Sequence, residues 1–146
     1  MGAFGGFQPA DDIEMDIAHG VSVLRATGEL DIGQAVVVQQ GIVLGIEAAE
    51  GTQKLLERCG PLRREGQGGV LVKLPKPGQE TRADMPTIGT DTIKAACAAG
   101  LAGIAVGAGS TLVFDLDELV KLADAEELFV TGISPTDYVE GYNTPS

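Results

Sequence analysis

Apolar residues follow helical spacing in the first part of the chain, after Pro9. The pattern predicts a helix that is capped by Asp11 or Asp12 and closed by Gly28. Its apolar stripe consists of Ile13, Ile17, Val21 and Leu24. We expect His19, the one histidine of the chain, on the surface of this helix rather than in a catalytic role, because no nucleophile motif accompanies it.

Short apolar runs after this helix predict strands. The β-branched runs 35–39 and 42–46 flank Gln40-Gly41, and two such runs around a glycine turn indicate a β-hairpin. The run that begins at Val70 predicts a buried strand, and 128–133 predicts the last strand. Further helices are expected from Thr52 to Cys59, from Thr90 or Asp91 to Gly100, and from Leu116 or Asp117 to Glu127.

The two halves of the chain resemble each other in the order of their predicted elements. The segments 37–46 and 105–114 superpose without a gap, and the second predicts another hairpin, with strands 104–106 and 112–114 around Ala108-Gly109. We therefore expect an internal αββαβ duplication. The alternative is a coincidence between two segments that are rich in glycine and valine.

Composition supports an α/β domain in which helices flank a mixed sheet. Hydrophobic residues make up 44% of the chain and aromatic residues only 4%, so small aliphatic residues and 21 glycines must form the core. Such residues suit close contact between helices and a sheet. We expect a linker or the start of an excised domain at 1–9, the domain itself at 10–133, and a polar tail at 134–146.

The charge and the cysteine content of the chain narrow the range of functions that it could have. The formal net charge is −11, which argues against nucleic acid and against electrostatic adhesion to anionic lipid. Cys59 and Cys97 form no metal or redox motif and are expected as reduced thiols in helices, which fits the cytoplasm. The sequence shows neither a signal peptide pattern nor an apolar run long enough to span a membrane.

Positive charge is concentrated in one region of this acidic chain. Seven of the ten lysine and arginine residues lie between Lys54 and Arg82. A surface that needs only to be soluble is better served by mixed charges. The segregation therefore predicts a local anion site.

The segment that follows the Val70 strand carries the candidate chemistry. Its prolines prevent regular backbone pairing, so its polar side chains belong to a loop. Lys73, Lys76 and Arg82 are cations, and Asp84 offers a hard oxygen ligand. Together they suit a phosphate bound with a divalent metal. The alternative is an exposed, solvated loop.

Several short motifs occur along the chain. They are Gly33-Gln34-Ala35-Val36-Val37, Glu50-Gly51-Thr52, Val72-Lys73, Lys76-Pro77-Gly78-Gln79, Arg82-x-Asp84-x-Pro86-x-Ile88-Gly89 and Ala99-Gly100-Leu101-x-Gly103-Ile104. Together they resemble the C-terminal domain of the LpxI family, the UDP-2,3-diacylglucosamine pyrophosphatases of lipid A and lipopolysaccharide synthesis. The resemblance covers about residues 10–133, with the motifs in order and at similar spacing.

The resemblance implies a cytoplasmic hydrolase that depends on Mg²⁺ or another divalent cation. Such an enzyme cleaves the diphosphate of UDP-2,3-diacylglucosamine and releases UMP and lipid X. The resemblance also implies a separate Rossmann-like N-terminal domain, with the substrate between the two domains. Peripheral contact with the inner membrane and a homo-oligomeric state are further expectations.

The resemblance also implies roles for individual residues. Asp84 corresponds to the key acidic residue and is assigned to catalysis and metal binding, with Glu50 as a second metal ligand. The expected phosphate-binding residues are Lys73, Lys76, Gln79, Arg82, Thr87 and Thr52, although Thr52 is equally explained as a helix cap.

Two positions depart from the pattern of the family, because Gln53 and Gly107 stand where acids are expected. If those acids bind metal in the family, this chain would bind it more weakly, or through Glu47 or Glu50.

A second function class stays open at this point. The chain could be a binding or oligomerisation module that holds an anion or a nucleotide sugar without catalysis. Metal-dependent activity that is lost in Asp84→Ala would favour the enzyme, whereas anion binding that is indifferent to Asp84 would favour the module.

Overall fold

The fold is an α/β sandwich with helices on both faces of a mixed sheet. The structure, a computed structural model, describes residues 5–6, 9–30, 32–66, 68–75, 87–109 and 111–142. The helices are α1 Asp11–Glu29, α2 Thr52–Cys59, α3 Thr90–Ala98, α4 Leu116–Ala125 and α5 Pro135–Tyr142. The strands are β1 Ala35–Gln39, β2 Ile42–Ile46, β3 Val70–Lys73, β4 Thr87–Ile88, β5 Gly103–Gly107, β6 Leu112–Val113 and β7 Phe129–Ile133.

Five strands form the main sheet, in the order β2-β1-β3-β5-β7. Strand β1 is antiparallel to both of its neighbours, whereas β3, β5 and β7 pair in parallel. As a result, β2, β3, β5 and β7 all run in one direction, and β1 runs against them. Strands β4 and β6 form a separate two-stranded parallel sheet.

Alternate residues of the main sheet face two apolar cores. Val37, Leu71 and Ile104 pack with residues of α2, α3 and α4 on one face. Val36 and Val72 pack with α1 on the other. Every described residue of β1, β3, β5 and β7 is buried, as expected for strands covered on both faces.

Helix α1 is joined to the first hairpin by a buried carboxylate. Asp16 accepts hydrogen bonds from the backbone N–H groups of Gln40 (3.0 Å) and Gly41 (2.8 Å). Both turn residues have positive φ, 53° and 78°, which is typical of the tight turns that match strand twist. The turn amides have no partner in the hairpin itself, so Asp16 supplies the acceptor that they need.

The tail expected from residue 134 contains helix α5. This helix lies against α1, and the Tyr138 hydroxyl donates a hydrogen bond to Glu14 at 2.7 Å. Burial raises the pKa of Tyr138, and the bond to the Glu14 carboxylate acts in the same direction. The tyrosine therefore stays protonated and able to donate. Among the described residues, no helix is both long and apolar enough to cross a membrane.

The α/β class, the mixed sheet, the helices and the hairpin at Gln40-Gly41 are confirmed. The predicted cap residues are wrong: Ala10, Gly51 and Gly89 stand at the caps of α1, α2 and α3. At α2 the reason is conformational, since φ is 91° at the cap, a value that glycine adopts without strain. Thr52 is therefore the first residue of the helix. Cys59 and Cys97 are free thiols in helices, as expected.

The second predicted hairpin is wrong, although both of its segments are strands. Strand β5 is paired on one side with β3 and on the other with β7, so neither edge is left for β6. Strand β6 pairs instead with β4 in the small sheet. The two halves share their order of elements but not their strand pairing, and the structure does not show the duplication.

Candidate functional site

One edge of the main sheet collects the polar features of the domain. Because β2, β3, β5 and β7 run in one direction, their carboxyl ends lie at the same edge, which we call the carboxyl edge. Helices α2, α3 and α4 return across one face of the sheet, so their amino ends lie toward this edge. Open α/β sheets bind ligands at this position, and helix amino ends attract anions.

Lys73 is a buried cation at the carboxyl edge. It is the last residue of β3, its exposure is 8%, and its Nζ donates a hydrogen bond to the backbone carbonyl of Thr87 at 2.7 Å. Burial lowers the pKa of the Lys73 ammonium, and the negative charge of Glu47 opposes that shift. The structure thus brings together Lys73 and Thr87, two of the predicted phosphate-binding residues, although their contact is with each other.

Glu47 follows β2 directly and faces the same edge. One oxygen of its carboxylate accepts from the backbone N–H of Gln34 at 3.0 Å, and the other accepts from the Thr52 hydroxyl at 3.2 Å. Gly33 lies so close to Glu47 that a Cβ there would come within 2.1 Å of the Glu47 carbonyl oxygen. Sequence reasoning overlooked Gln34 as a partner and named Glu47 only as a substitute ligand. Gln34 and Glu47 stand beside the ends of predicted strands, and this position could have marked them as candidates for the site.

Glu50 is engaged in local contacts. Its carboxylate accepts from the Ala48 backbone N–H at 2.8 Å and from Arg58 Nε at 2.6 Å. These two contacts, the first being the stronger influence, lower the pKa of Glu50 to about 2. Both oxygens of this predicted metal ligand are therefore used within the protein.

The described part of the basic region is divided between opposite edges of the sheet. Arg63 donates from Nε to the Gly100 carbonyl (2.8 Å) at the end of α3, where β5 is about to begin. The backbone of Arg64 is held at the same end by the buried Gln39, whose side chain both donates to it and accepts from it. Lys73 is at the other end of β3. These cations are close in sequence, but they lie at opposite edges of the sheet and therefore do not form one anion site.

A cavity of about 330 Å³ lies at the amino end of α3, next to the Lys73 contact. One wall comes from β4, Gly89 and the first turn of α3, and the other comes from Phe114 and Asp115, which stand before α4. Phe114 is 58% exposed, and Asp115 has a φ of 51°, in the left-handed region. A larger groove of about 590 Å³ runs between α2 and α3, and the exposed Gln53 lies on its wall.

Four predicted site residues, Lys76, Gln79, Arg82 and Asp84, lie outside the described residues. Within the described ranges, no group of three histidine, cysteine, aspartate or glutamate residues is placed to hold a metal ion. Gly107, the second departure from the family pattern, is buried at the end of β5. The described part of the site therefore offers one buried cation, hydrogen-bonding groups and three helix amino ends.

Comparison with known proteins agrees with the motifs. Residues 1–131 match the LpxI C-terminal domain. The chain is 46% identical over 142 residues to the UDP-2,3-diacylglucosamine pyrophosphatase LpxI of Caulobacter vibrioides, an alignment that covers 93% of this chain and 51% of the relative. The chain thus spans about half the length of the curated relative that it matches.

Proposed function

The chain belongs to the LpxI family, and we propose that it forms the C-terminal part of a UDP-2,3-diacylglucosamine pyrophosphatase of lipid A synthesis. The observation that carries this proposal is the 46% identity to a relative of that name. The reaction is hydrolysis of the diphosphate, in which a water oxygen bonds to one phosphorus and the bridging P–O bond breaks. The products are UMP and lipid X.

The carboxyl edge suits the charge requirements of this reaction. A diphosphate carries negative charge on both phosphates, and more charge gathers on the leaving phosphate as the bridging bond breaks. The amino ends of α2, α3 and α4 provide partial positive charge in that direction. These groups support phosphate binding at an edge of a protein whose net charge is −11.

Among the described residues at this edge, no three acids are grouped to hold a metal ion, and the carboxylates of Glu47 and Glu50 each accept two hydrogen bonds. We propose that Asp84 supplies the ligand for the divalent cation, Mg²⁺ by preference, that the family resemblance implies. Bound there, the cation would neutralise phosphate charge. Lys76 and Arg82 would contact the phosphates directly.

The remaining features of the proposal concern the rest of the enzyme. We propose that a Rossmann-like N-terminal part completes the site and that the substrate lies between the two parts. The reaction would occur in the cytoplasm, with peripheral access to the inner membrane, because the substrate carries two acyl chains.

Asp84→Ala in the full-length enzyme tests the assignment. We expect the rate of UMP release with Mg²⁺ to fall by roughly 10²-fold to 10³-fold, the scale of one electrostatic stabiliser. Binding of the uncleaved lipid nucleotide should persist, because Lys76 and Arg82 remain. Glu80→Ala, which removes an acid from the same segment, is the matched control and should stay close to wild type.

Two results would count against the proposal. If Asp84→Ala turns over at the wild-type rate with Mg²⁺ present, the catalytic assignment is wrong. If wild-type enzyme binds the nucleotide sugar but releases no UMP with any divalent cation, the chain is a binding module.

A further inference from the structure

Lys73 has the geometry of a residue that holds the site together rather than of one that reaches the substrate. Lysine side chains commonly bury the aliphatic stem and keep the ammonium in water. Lys73 is 8% exposed as a whole residue, and its Nζ donates to a backbone carbonyl, that of Thr87. Among the described residues, Asp16 and Lys73 are the charged residues classed as buried.

We propose that Lys73 is a positioning residue for the hydrolysis: it fixes β4 against the end of β3. The inference rests on the proposed function for the reaction that it serves. Burying an ammonium is costly unless it is paired and hydrogen-bonded. Thr87 supplies the hydrogen bond, and the Glu47 charge offsets part of the cost of burial, which still lowers the pKa of the Lys73 ammonium.

The contact reaches the walls of the 330 Å³ cavity. Thr87 begins β4, and the next carbonyl along the chain, that of Ile88, accepts a hydrogen bond from the Phe114 backbone N–H at 3.0 Å. Phe114 and Asp115 form the opposite wall of the cavity. Lys73 therefore connects the main sheet to the small sheet. The two strands of the small sheet lead into the two walls of the cavity.

The same contact sets the distance between two points of the chain. Lys73 ends β3 and Thr87 begins β4, and the segment that contains Asp84 lies between them in sequence. The hydrogen bond from Lys73 Nζ to the Thr87 carbonyl oxygen, 2.7 Å long, holds the end of β3 close to the start of β4. Removal of the contact should loosen β4 and the cavity wall that it carries while leaving the main sheet intact.

Amide hydrogen exchange in this chain tests the connection without any need for activity. In Lys73→Met, which keeps the length of the side chain and removes the donor, we expect the Phe114 N–H to exchange at least about 10-fold faster than in wild type. The Leu71 N–H in the main sheet should be unchanged. Lys54→Met, at an exposed lysine of α2, is the matched control and should alter neither amide.

Unchanged exchange at Phe114 in folded Lys73→Met would overturn the inference. If that variant does not fold, the decision passes to wild-type protein, where NMR should show a scalar coupling across the hydrogen bond from Lys73 Nζ to the Thr87 carbonyl carbon. Absence of this coupling, under conditions where backbone couplings are seen, would also overturn it.

Kinetics of the full-length enzyme separate positioning from direct binding. In Lys73→Met we expect kcat to fall by roughly 10²-fold, the cost of a misplacement of about 1 Å, with KM changed by less than about threefold. Lys73→Arg should recover part of kcat because it retains a charged donor. A rise in KM at unchanged kcat would make Lys73 a substrate ligand and refute the inference. A wild-type enzyme without activity would refute the proposed function. Amide hydrogen exchange at Phe114 would still test whether the contact between Lys73 and Thr87 holds the small sheet in place.

Discussion

Replacing Gly33 by alanine should destabilise the domain, because the new methyl group has no room beside Glu47. A Cβ at Gly33 would lie 2.1 Å from the Glu47 carbonyl oxygen and 2.9 Å from its carbonyl carbon. Ordinary contact begins near 3.4 Å, so the two backbones must separate by more than 1 Å. They cannot do so freely, since the Glu47 N–H donates to Ala35 and its carboxylate is held by Gln34 and Thr52.

The expected magnitude follows from two opposing effects. Overpacking of this kind costs about 1 to 3 kcal/mol. Alanine also restricts the unfolded chain, which returns about 0.4 to 1 kcal/mol. The free energy of unfolding should therefore fall by about 1 to 2 kcal/mol, and the melting temperature of a domain of this size by roughly 3 to 8 °C.

Urea unfolding followed by far-UV circular dichroism is a suitable assay, since the chain has no tryptophan. With a slope of about 2 kcal/mol per molar urea, the midpoint should move down by roughly 0.5 to 1 M. Gly60→Ala is the matched control, because its φ is −51° and its Cβ would meet nothing closer than 3.6 Å. Equal midpoints for Gly33→Ala and Gly60→Ala would refute the packing argument.

Three further changes have expected outcomes. Asp16→Ala leaves two turn amides without their acceptor and should lower the free energy of unfolding by about 2 kcal/mol or more, measured by the same urea assay. Gly103→Ala would place a Cβ 2.3 Å from the Phe129 ring and should destabilise by about 1 to 3 kcal/mol, seen as a lower melting temperature. The pKa of Glu50 is lowered from 4.5 to about 2. The stability that its ionised carboxylate adds to the folded state is therefore complete above pH 4.5 and is lost as pH falls toward 2. Glu50→Gln should therefore lose less stability than wild type over that interval, and a Glu50 carboxyl carbon that titrates by NMR near pH 4.5 in the folded protein would contradict this.

Local patterns predicted the elements well, but they could not predict which strands would pair. The first hairpin was identifiable because β1 and β2 adjoin a turn that suits Gln40-Gly41. The same pattern around Ala108-Gly109 failed because β5 is a central strand, with β3 and β7 on its two edges. Both edges of β5 are taken by parallel strands that are far from it in sequence. A short stretch of sequence does not contain these partners, so its pattern could not predict them.

The sequence predicted some residues of the carboxyl edge and missed others. It named Lys73, at the end of a buried strand, and Thr52 as phosphate-binding candidates, but it gave no role to Gln34, whose backbone N–H binds Glu47. Charge counting suggested a wider anion site, yet Arg58 binds Glu50, and Arg63 binds the Gly100 carbonyl just after α3. A local excess of positive charge does not show whether a guanidinium has a partner inside the protein.

The single reversed strand of the main sheet has a consequence for the order of folding. Strand β1 meets β2 across a tight turn, and Asp16 connects the same turn to α1, so this part closes short loops only. The pairs β3–β5 and β5–β7 need crossover connections through α3 and α4, which lose more chain entropy before contact is made. We therefore expect α1 with the hairpin to form early and to serve as the template on which β3 docks. The carboxyl edge, which needs β3 and β5 in register, would be completed late.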